Sequence, residues 1–451
     1  MRACHCFSSR FTLGALAGLF AGSLGCTSLL GDDYFLDTAA GAGGDGAAGG
    51  GAASGGGGGG GGAKPKPDLS KAVWDLENAS NTPATISHDG VLVIANGRRW
   101  AAWSEPDDED LSEQAVWANQ RDDGGGWSGG QVTDFAGEQV ADPDIAAFGD
   151  TVYVAFSRDV DGFDDIYVAR HQGDAWLQPA DITASTKRPM TRNDYEPSLA
   201  VSRDGKLALA YLSYLPNDFS DAQVRVVRFD DDGVAQAPEL NVASGSCEAP
   251  DALFDDAGNL WVVADCGDGT ADAIVLATDR SGSWQSQTID GPGSGFLADP
   301  HLALDPNGKE VHVAWSGDAE CIPDETDCND IFYVRTEDGV VTGPGQNLTS
   351  TGDVREAESS IAVDAHGRPI IVFHRFDDPD ARIYFVWGDD GVFAEQKLIT
   401  PSAGADQWFP TSTTVDPLTQ LPEFVYERRI PATRPVNTEI FRGAMRPTTS
   451  D

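Results

Sequence analysis

Pro143-Asp-Ile-Ala-Ala-Phe-Gly-Asp-Thr-Val-Tyr-Val-Ala-Phe156 alternates apolar and polar residues on either side of a Gly-Asp tip. Period-two alternation marks half-buried strands, and the tip residues tolerate positive φ, so the stretch reads as a tight β-hairpin. An acidic loop follows, then Asp165-Ile-Tyr-Val-Ala169, a turn and Trp176. The unit is therefore two hairpins, four short strands in sequence.

The phrase returns from Pro83, Pro197, Pro250, Pro300, Ser359 and Pro410, at intervals of roughly 50 to 60 residues. Four first turns read Ser202-Arg-Asp-Gly205, Asp255-Asp-Ala-Gly258, Asp305-Pro-Asn-Gly308 and Asp364-Ala-His-Gly367, which is hairpin-tip chemistry. Seven four-stranded repeats without helical spacing predict an all-β chain folded as a single seven-bladed β-propeller. After Phe424-Val-Tyr426 and Thr438-Glu-Ile-Phe441 the last unit lacks an outer strand, while Ala72-Val-Trp-Asp-Leu76 is an outer strand without a unit. Pairing the two closes the ring and removes its exposed edges. The second strands end in a recurring aromatic, Trp103, Phe156, Tyr211, Trp315, Phe373 and Tyr426, with Ala264 the exception. These residues are expected to fill the wedges between blades.

Ahead of the repeats, Arg2 and Arg10 precede an uncharged run from Phe11 to Gly25, too short to span a bilayer comfortably and suited to a cleaved leader. Ser23-Leu24-Gly25-Cys26 resembles the lipobox of bacterial lipoproteins, in which the cysteine receives lipid; here leucine stands one place later than in the commonest form. From Gly41 to Ala63 the chain is almost all Gly and Ala, ending in the octet Gly55 to Gly62, and Lys64-Pro65-Lys66-Pro67 follows. A glycine run that cradles phosphate needs a flanking strand and helix, so this one reads as a tether, reaching roughly 35 to 40 Å. The expected organisation is a lipoprotein signal peptide at 1–25, a lipid-anchored disordered linker at 26–70, the propeller at 71–446 and a tail at 447–451. The resemblance implies a cell-envelope protein of the outer membrane or cell surface, held to the membrane through its N-terminal lipid alone.

Once Cys4 and Cys6 leave with the leader and Cys26 takes lipid, Cys247, Cys266, Cys321 and Cys328 remain, an even set that suggests disulfides in an exported protein. A hairpin centred on Asp255 to Gly258 places Cys247 opposite Cys266; Cys321 and Cys328 bracket one loop. The formal net charge of -42 repels phosphate-rich partners, which argues against nucleic acid and favours cations as visitors. Solubility is the simpler account of that charge.

One face of a propeller carries the loops between second and third strands, and here those loops are long and acidic: Asp107-Asp-Glu-Asp110, Asp159 to Asp165, Asp324 to Asp327 and Asp377 to Asp380. Just ahead of the first strand four units carry a carboxylate, Asp142, Glu196, Asp299 and Glu358, which rotational repetition sets around the axial mouth. Three units carry arginine two residues beyond the recurring aromatic: Arg158, Arg375 and Arg428. Interblade ion pairing accounts for these groups; alternatively the arginines grip an anionic sugar or peptide carboxylate and the acids hold Ca²⁺. No clustered histidine or Cys-x-x-Cys pair accompanies the cysteines, so no other cofactor is expected.

Pro197-Ser-Leu-Ala-Val-Ser-Arg-Asp-Gly205 and its counterparts resemble the blades of sialidase-like propellers. Gln120-Arg-Asp-Asp-Gly-Gly-Gly-Trp127 is similar to the Asp-box of that group, with Gln for Ser, and Trp176 and Trp284 hold similar places. Arg429-Ile430-Pro431 matches the family's arginine tripeptide but lies in the final unit rather than at the front, and no catalytic tyrosine, glutamate or aspartate aligns. The expected function is a non-catalytic, monomeric binding module for carbohydrate, polymer or protein; the alternative is a sialidase-like exo-glycosidase acting on anionic glycans.

Overall fold

The computed structural model describes residues 66–446 except 82–85, 107–113, 123, 134–138, 184–191, 217, 237–239, 268–271, 290–296, 319–327, 352–353, 378–379, 401–406 and 431–436. The leader, Cys26 and the glycine tether lie outside these residues, as do Cys321 and most of the acidic loops around 107–110 and 324–327. Seven antiparallel units follow one another as blades, 88–131, 140–181, 193–244, 247–289, 297–347, 356–398 and 407–446, the last two joined by one parallel bridge from Ala381 to Gln407. The chain is an all-β seven-bladed propeller, and among the described residues the only helical element is a 3₁₀ turn, Leu69–Lys71.

Ring closure occurs as the orphan strand requires. Val73–Asn78 pairs antiparallel with the last strand, from Val73 opposite Arg446 to Asn78 opposite Phe441, and completes blade seven. The packed part of the chain starts earlier than residue 71. Leu69, assigned above to the linker, is 1% exposed, Pro67 accepts a hydrogen bond from Arg368 Nη1 at 2.8 Å, and Lys66 pairs with Asp389 at 2.5 Å.

The recurring aromatics fill the wedges. Trp103, Phe156, Tyr211, Trp315, Phe373 and Tyr426 are all completely buried. Phe156 packs with Val116 and Ala118 of blade one, Trp315 with Trp261 and Ile274 of blade four, and Trp103 with Val425 and Ile440 of blade seven. At the exception, Ala264 packs with Ala210 and Val224 of blade three, and Trp284 closes in from the outside.

At the tips Gly205, Gly258, Gly308 and Gly367 take φ between 68° and 80°, each donating its N–H to the carbonyl three residues earlier. Each of the three aspartate-led turns gathers the backbone around one carboxylate: Asp305 accepts from the N–H groups of Asn307, Lys309 and Glu310. The turn led by Asp255 holds one residue more than a symmetric hairpin, so Phe254 faces Leu260. A bulge before Asp251 then offsets the register, and Cys247 meets Cys266 as a disulfide with Cα atoms 4.0 Å apart. Replacing both cysteines by serine is expected to cost about 3 kcal/mol of stability, read by urea unfolding of the full chain. An unchanged midpoint would show that the bond adds nothing to this blade.

Candidate functional site: the axial mouth

The first strands of consecutive blades contact one another all round the ring and form its inner wall. Each is a sheet edge, so its N–H groups need acceptors from elsewhere. Neighbouring blades supply them through side chains. Asp144 accepts from the backbone N–H of Leu199, Ser198 from that of Ala252 at 2.9 Å, Asp251 from that of Leu302 at 2.5 Å, and Ser412 from that of Leu92 at 3.2 Å.

Just before these acceptors the pairing of first and second strands slips by one residue in every blade. At the slip the backbone of blades one to six turns left-handed, at Asp89 (φ 54°), Asp142 (51°), Glu196 (49°), Ala249 (48°), Asp299 (50°) and Glu358 (52°). Such bulges re-aim a side chain. The four carboxylates picked from the sequence thus sit within the first strand at its bulge, not ahead of it. A fifth, Asp89, lacks the sequence signal of the others, because blade one carries Gly90 where four others carry proline.

The five are joined by the electrostatics of a shared site. Asp89 accepts from Ser104 at 3.1 Å and Asp142 from Ser157 at 3.0 Å; Glu358 lies 2.9 Å from His374 Nδ1. Burial, then the charges of Asp142 and Glu427, pushes Asp89 well above the usual carboxylate range. Burial, then Asp142 and Glu248, does the same to Glu196; burial, then Glu248 and Asp299, to Asp265. Asp299 is pushed up to about 7, by burial first and then by Glu358, while His301 and Arg355 oppose the shift. Tyr195, hydrogen-bonded to Asp142, is raised as well.

The three arginines are engaged with rings of their own blades. Arg158 lies over Tyr167 at 4.8 Å, Arg375 over Tyr384 at 5.4 Å and Arg428 over Phe441 at 5.6 Å. Arg355 lies over Phe376 and Arg429 over Phe409, with Arg429 also 3.3 Å from Glu427. Glu196, Glu248, Asp265 and Asp299 of blades three to five feel one another's charge, while arginine–aromatic pairs stand in blades two, six and seven. Among the described residues no three His, Cys, Asp or Glu side chains stand close enough to share one metal ion.

Two concavities lie away from the mouth. A cavity of about 950 Å³ adjoins the closure seam, where Arg99 bonds Asp416 at 2.6 Å and Glu423 at 2.9 Å, and Arg442 bonds Glu423 and Glu77. Its buried cations are already paired, which marks a structural joint. A second, of about 240 Å³ between blades five and six, contains His312, whose Nδ1 is 2.6 Å from Tyr333 Oη.

No protein family and no curated protein matches the sequence. Among solved structures, similarity is found to the following, and the first shares the fold. A polysaccharide lyase of family PL25, an ulvan lyase, is 11% identical with a TM-score of 0.57, over 81% of this chain and 93% of that one. Trypanosoma rangeli sialidase is 8% identical over 80% of this chain and 55% of its own, with a TM-score of 0.41. An endo-arabinase from Bacteroides thetaiotaomicron is 14% identical over 58% of this chain and 98% of its own, at 0.38. At these identities the likeness is one of architecture.

A carboxyl raised on folding binds its proton in the native state at pH values where the unfolded chain has lost it. Asp299 therefore subtracts from stability as pH rises from its ordinary 3.8 to about 7. His312 acts in the opposite sense, since burial lowers it from 6.5 to about 4 and its contribution fades as pH falls through that window. The difference between parent and Asp299→Asn separates the two. The variant should melt higher than the parent above pH 7, with the gap closing toward pH 4; a gap constant across the range would refute the assignment.

Proposed function

We propose that this chain is an exported, lipid-anchored propeller that recognises carbohydrate at its axial mouth without transforming it. The observation that carries this reading is the recurrence of a left-handed bulge carboxylate on the inner strand of five blades, several of which feel one another's charge, together with arginines laid over aromatic rings. Sugar hydroxyls are donors that carboxylates accept strongly, and a rigid ring keeps such acceptors in place before the ligand arrives. Fold alone does not set this function, because propellers host many.

The path of the chain into the ring supports a mouth turned away from the lipid. Lys66 and Pro67 are held by Asp389 and Arg368, both at the tips of blade six. A tether joined at Lys66 would enter on the face of those tips, opposite the loops between second and third strands. A catalytic second reading, an exo-glycosidase on anionic glycans, is favoured by one feature: Asp299 and Glu356 are both pushed up to about 7, chiefly by burial, where a carboxyl can donate a proton near neutrality.

A glycan array probed with the full mature chain in detergent tests the main reading. Binding to a defined glycan set is expected, with loss in Asp142→Asn and Glu358→Gln; no binding to any glycan would reject it. Release of reducing sugar from a bound glycan, abolished by Asp299→Asn, would replace it with the catalytic reading. Radiolabelled palmitate should enter the parent in a bacterial host and not Cys26→Ala, and equal labelling of both would reject the anchor.

A further inference from the structure

We propose that the cavity of about 240 Å³ between blades five and six is a second binding site, for a small organic carboxylate whose oxygens accept from His312, Tyr333 and His366. It is lined by the tips of blade six, away from the mouth, so it stands independently of the carbohydrate reading. Strand alternation builds one wall. Val311 and Val313 face the core shared with blade four, which turns His312 to the other face of blade five. There Ala314 and Tyr333 pack with Ile371 and Phe373 of blade six, and His312 Nδ1 lies 2.6 Å from Tyr333 Oη. Blade six supplies the facing wall, with His366 on its first tip and Phe393 on its outer hairpin.

Two observations call for a ligand that accepts hydrogen bonds. First, His312 is 2% exposed and its Nε2 has no hydrogen-bond partner among the described residues. Burial lowers the imidazole to about 4, so near neutrality it carries a single N–H, while the Tyr333 hydroxyl, raised by burial, keeps its O–H. One of these two hydrogens serves the bond between the side chains. If Tyr333 donates, Nε2 holds the other; if Nδ1 donates, Oη holds it. In either tautomer one buried donor is left without an acceptor, which is costly until something fills it. Second, His366 Nε2 is shielded from solvent and has no partner either, although the backbone N–H of His366 donates to Asp364 at 2.9 Å.

The rest of the lining narrows the ligand. Arg368 is spent on Asp364 and on the Pro67 carbonyl. Arg335 is left as the cation beside the cavity, its pairing with Glu337 at 3.3 Å being an exposed one; Asp390, the one acid in the lining, is exposed as well. A carboxylate brings acceptors alone, whereas a sugar hydroxyl or an amide brings donors too. Val334, Pro369 and Phe393 are apolar, so a ligand with a hydrocarbon part fits here where inorganic phosphate does not. Sites for drug-sized ligands run to roughly 300 to 1,000 Å³, and this smaller cavity restricts that part to a few carbons.

Equilibrium dialysis of the full mature chain in detergent against radiolabelled butyrate, at fixed ionic strength, tests this. Saturable binding is expected, displaced by unlabelled butyrate but not by equal concentrations of butyramide or inorganic phosphate. The dissociation constant should rise about tenfold or more in His312→Phe and about threefold in His366→Ala and Arg335→Gln. It should stay at the parent value in Arg203→Gln, which removes a cation from a tip of blade three. His366 and Arg335 lie outside the buried core, so their variants decide the matter if His312→Phe does not fold. Absence of saturable binding overturns the inference, as does parent-like binding by all the cavity variants that fold. Displacement by butyramide removes the need for charge, displacement by phosphate removes the need for a hydrocarbon part, and an equal loss in Arg203→Gln reduces the effect to bulk charge; each of these overturns it too. The glycan array reports on the mouth alone, so the two readings fail separately.

Discussion

The innermost strand of each blade is paired along its length on one side only, with a single parallel bridge from Gln407 of blade seven to Ala381 of blade six the one addition among the described residues. Its other edge faces the axis, where backbone N–H groups left without acceptors would each cost about 1 to 3 kcal/mol. The chain meets this by placing Asp144, Ser198, Asp251 and Ser412 so that each accepts from the next blade's first strand. The side chain that laces one blade to the next must point along the ring, and the bulge just before it lets the preceding residue point elsewhere. Structure and candidate site thus share one local device: the lacing residue holds the ring, and the bulge residue is presented to the mouth.

That device explains why acids accumulate there despite the cost of burying charge. A left-handed residue other than glycine is strained, and aspartate tolerates the conformation better than most. Asp89, Asp142 and Asp299 take the position on those terms, whereas Glu196 and Glu358 do so without such a preference. Ala249 shows that a carboxylate is not required for the bulge to form. The upward shifts of Asp89, Glu196 and Asp299, caused by burial first and by neighbouring acids second, therefore attend side chains that the bulge itself does not require.

The architecture was legible because strand alternation and turn chemistry recur seven times, and because the orphan strand at 73–78 answers the missing strand of blade seven. The mouth was legible where proline, or Ser359 in blade six, follows the bulge. Asp89 is followed by Gly90, and nothing in periodicity separates it from a turn residue; its identity rests on pairing that slips between His88 and Val91. The facing of Cys247 and Cys266 came out of the sequence although the turn and the strand each carry an extra residue, because one offset cancels the other. Stacking of Arg158, Arg375 and Arg428 on Tyr167, Tyr384 and Phe441 could have been read from the second-to-third-strand hairpins, where each aromatic lies opposite the recurring one two residues before its arginine.

Closure places the opposite demand on charge. Blade seven is assembled from both ends of the folded chain, so its outer strand is attached by contacts alone. At that seam Arg99 of blade one, Asp416, Glu423 and Arg442 of blade seven and Glu77 of the closing strand form one ladder, and its four blade-one and blade-seven members are nearly inaccessible. Every buried cation there meets a carboxylate, and bidentate geometry fixes register as well as energy. At the mouth the acids exceed their cations. A chain able to balance buried charge at one joint leaves it unbalanced at another, and that contrast makes the axial opening, rather than the larger cavity beside the seam, the place where a ligand is expected to complete the protein.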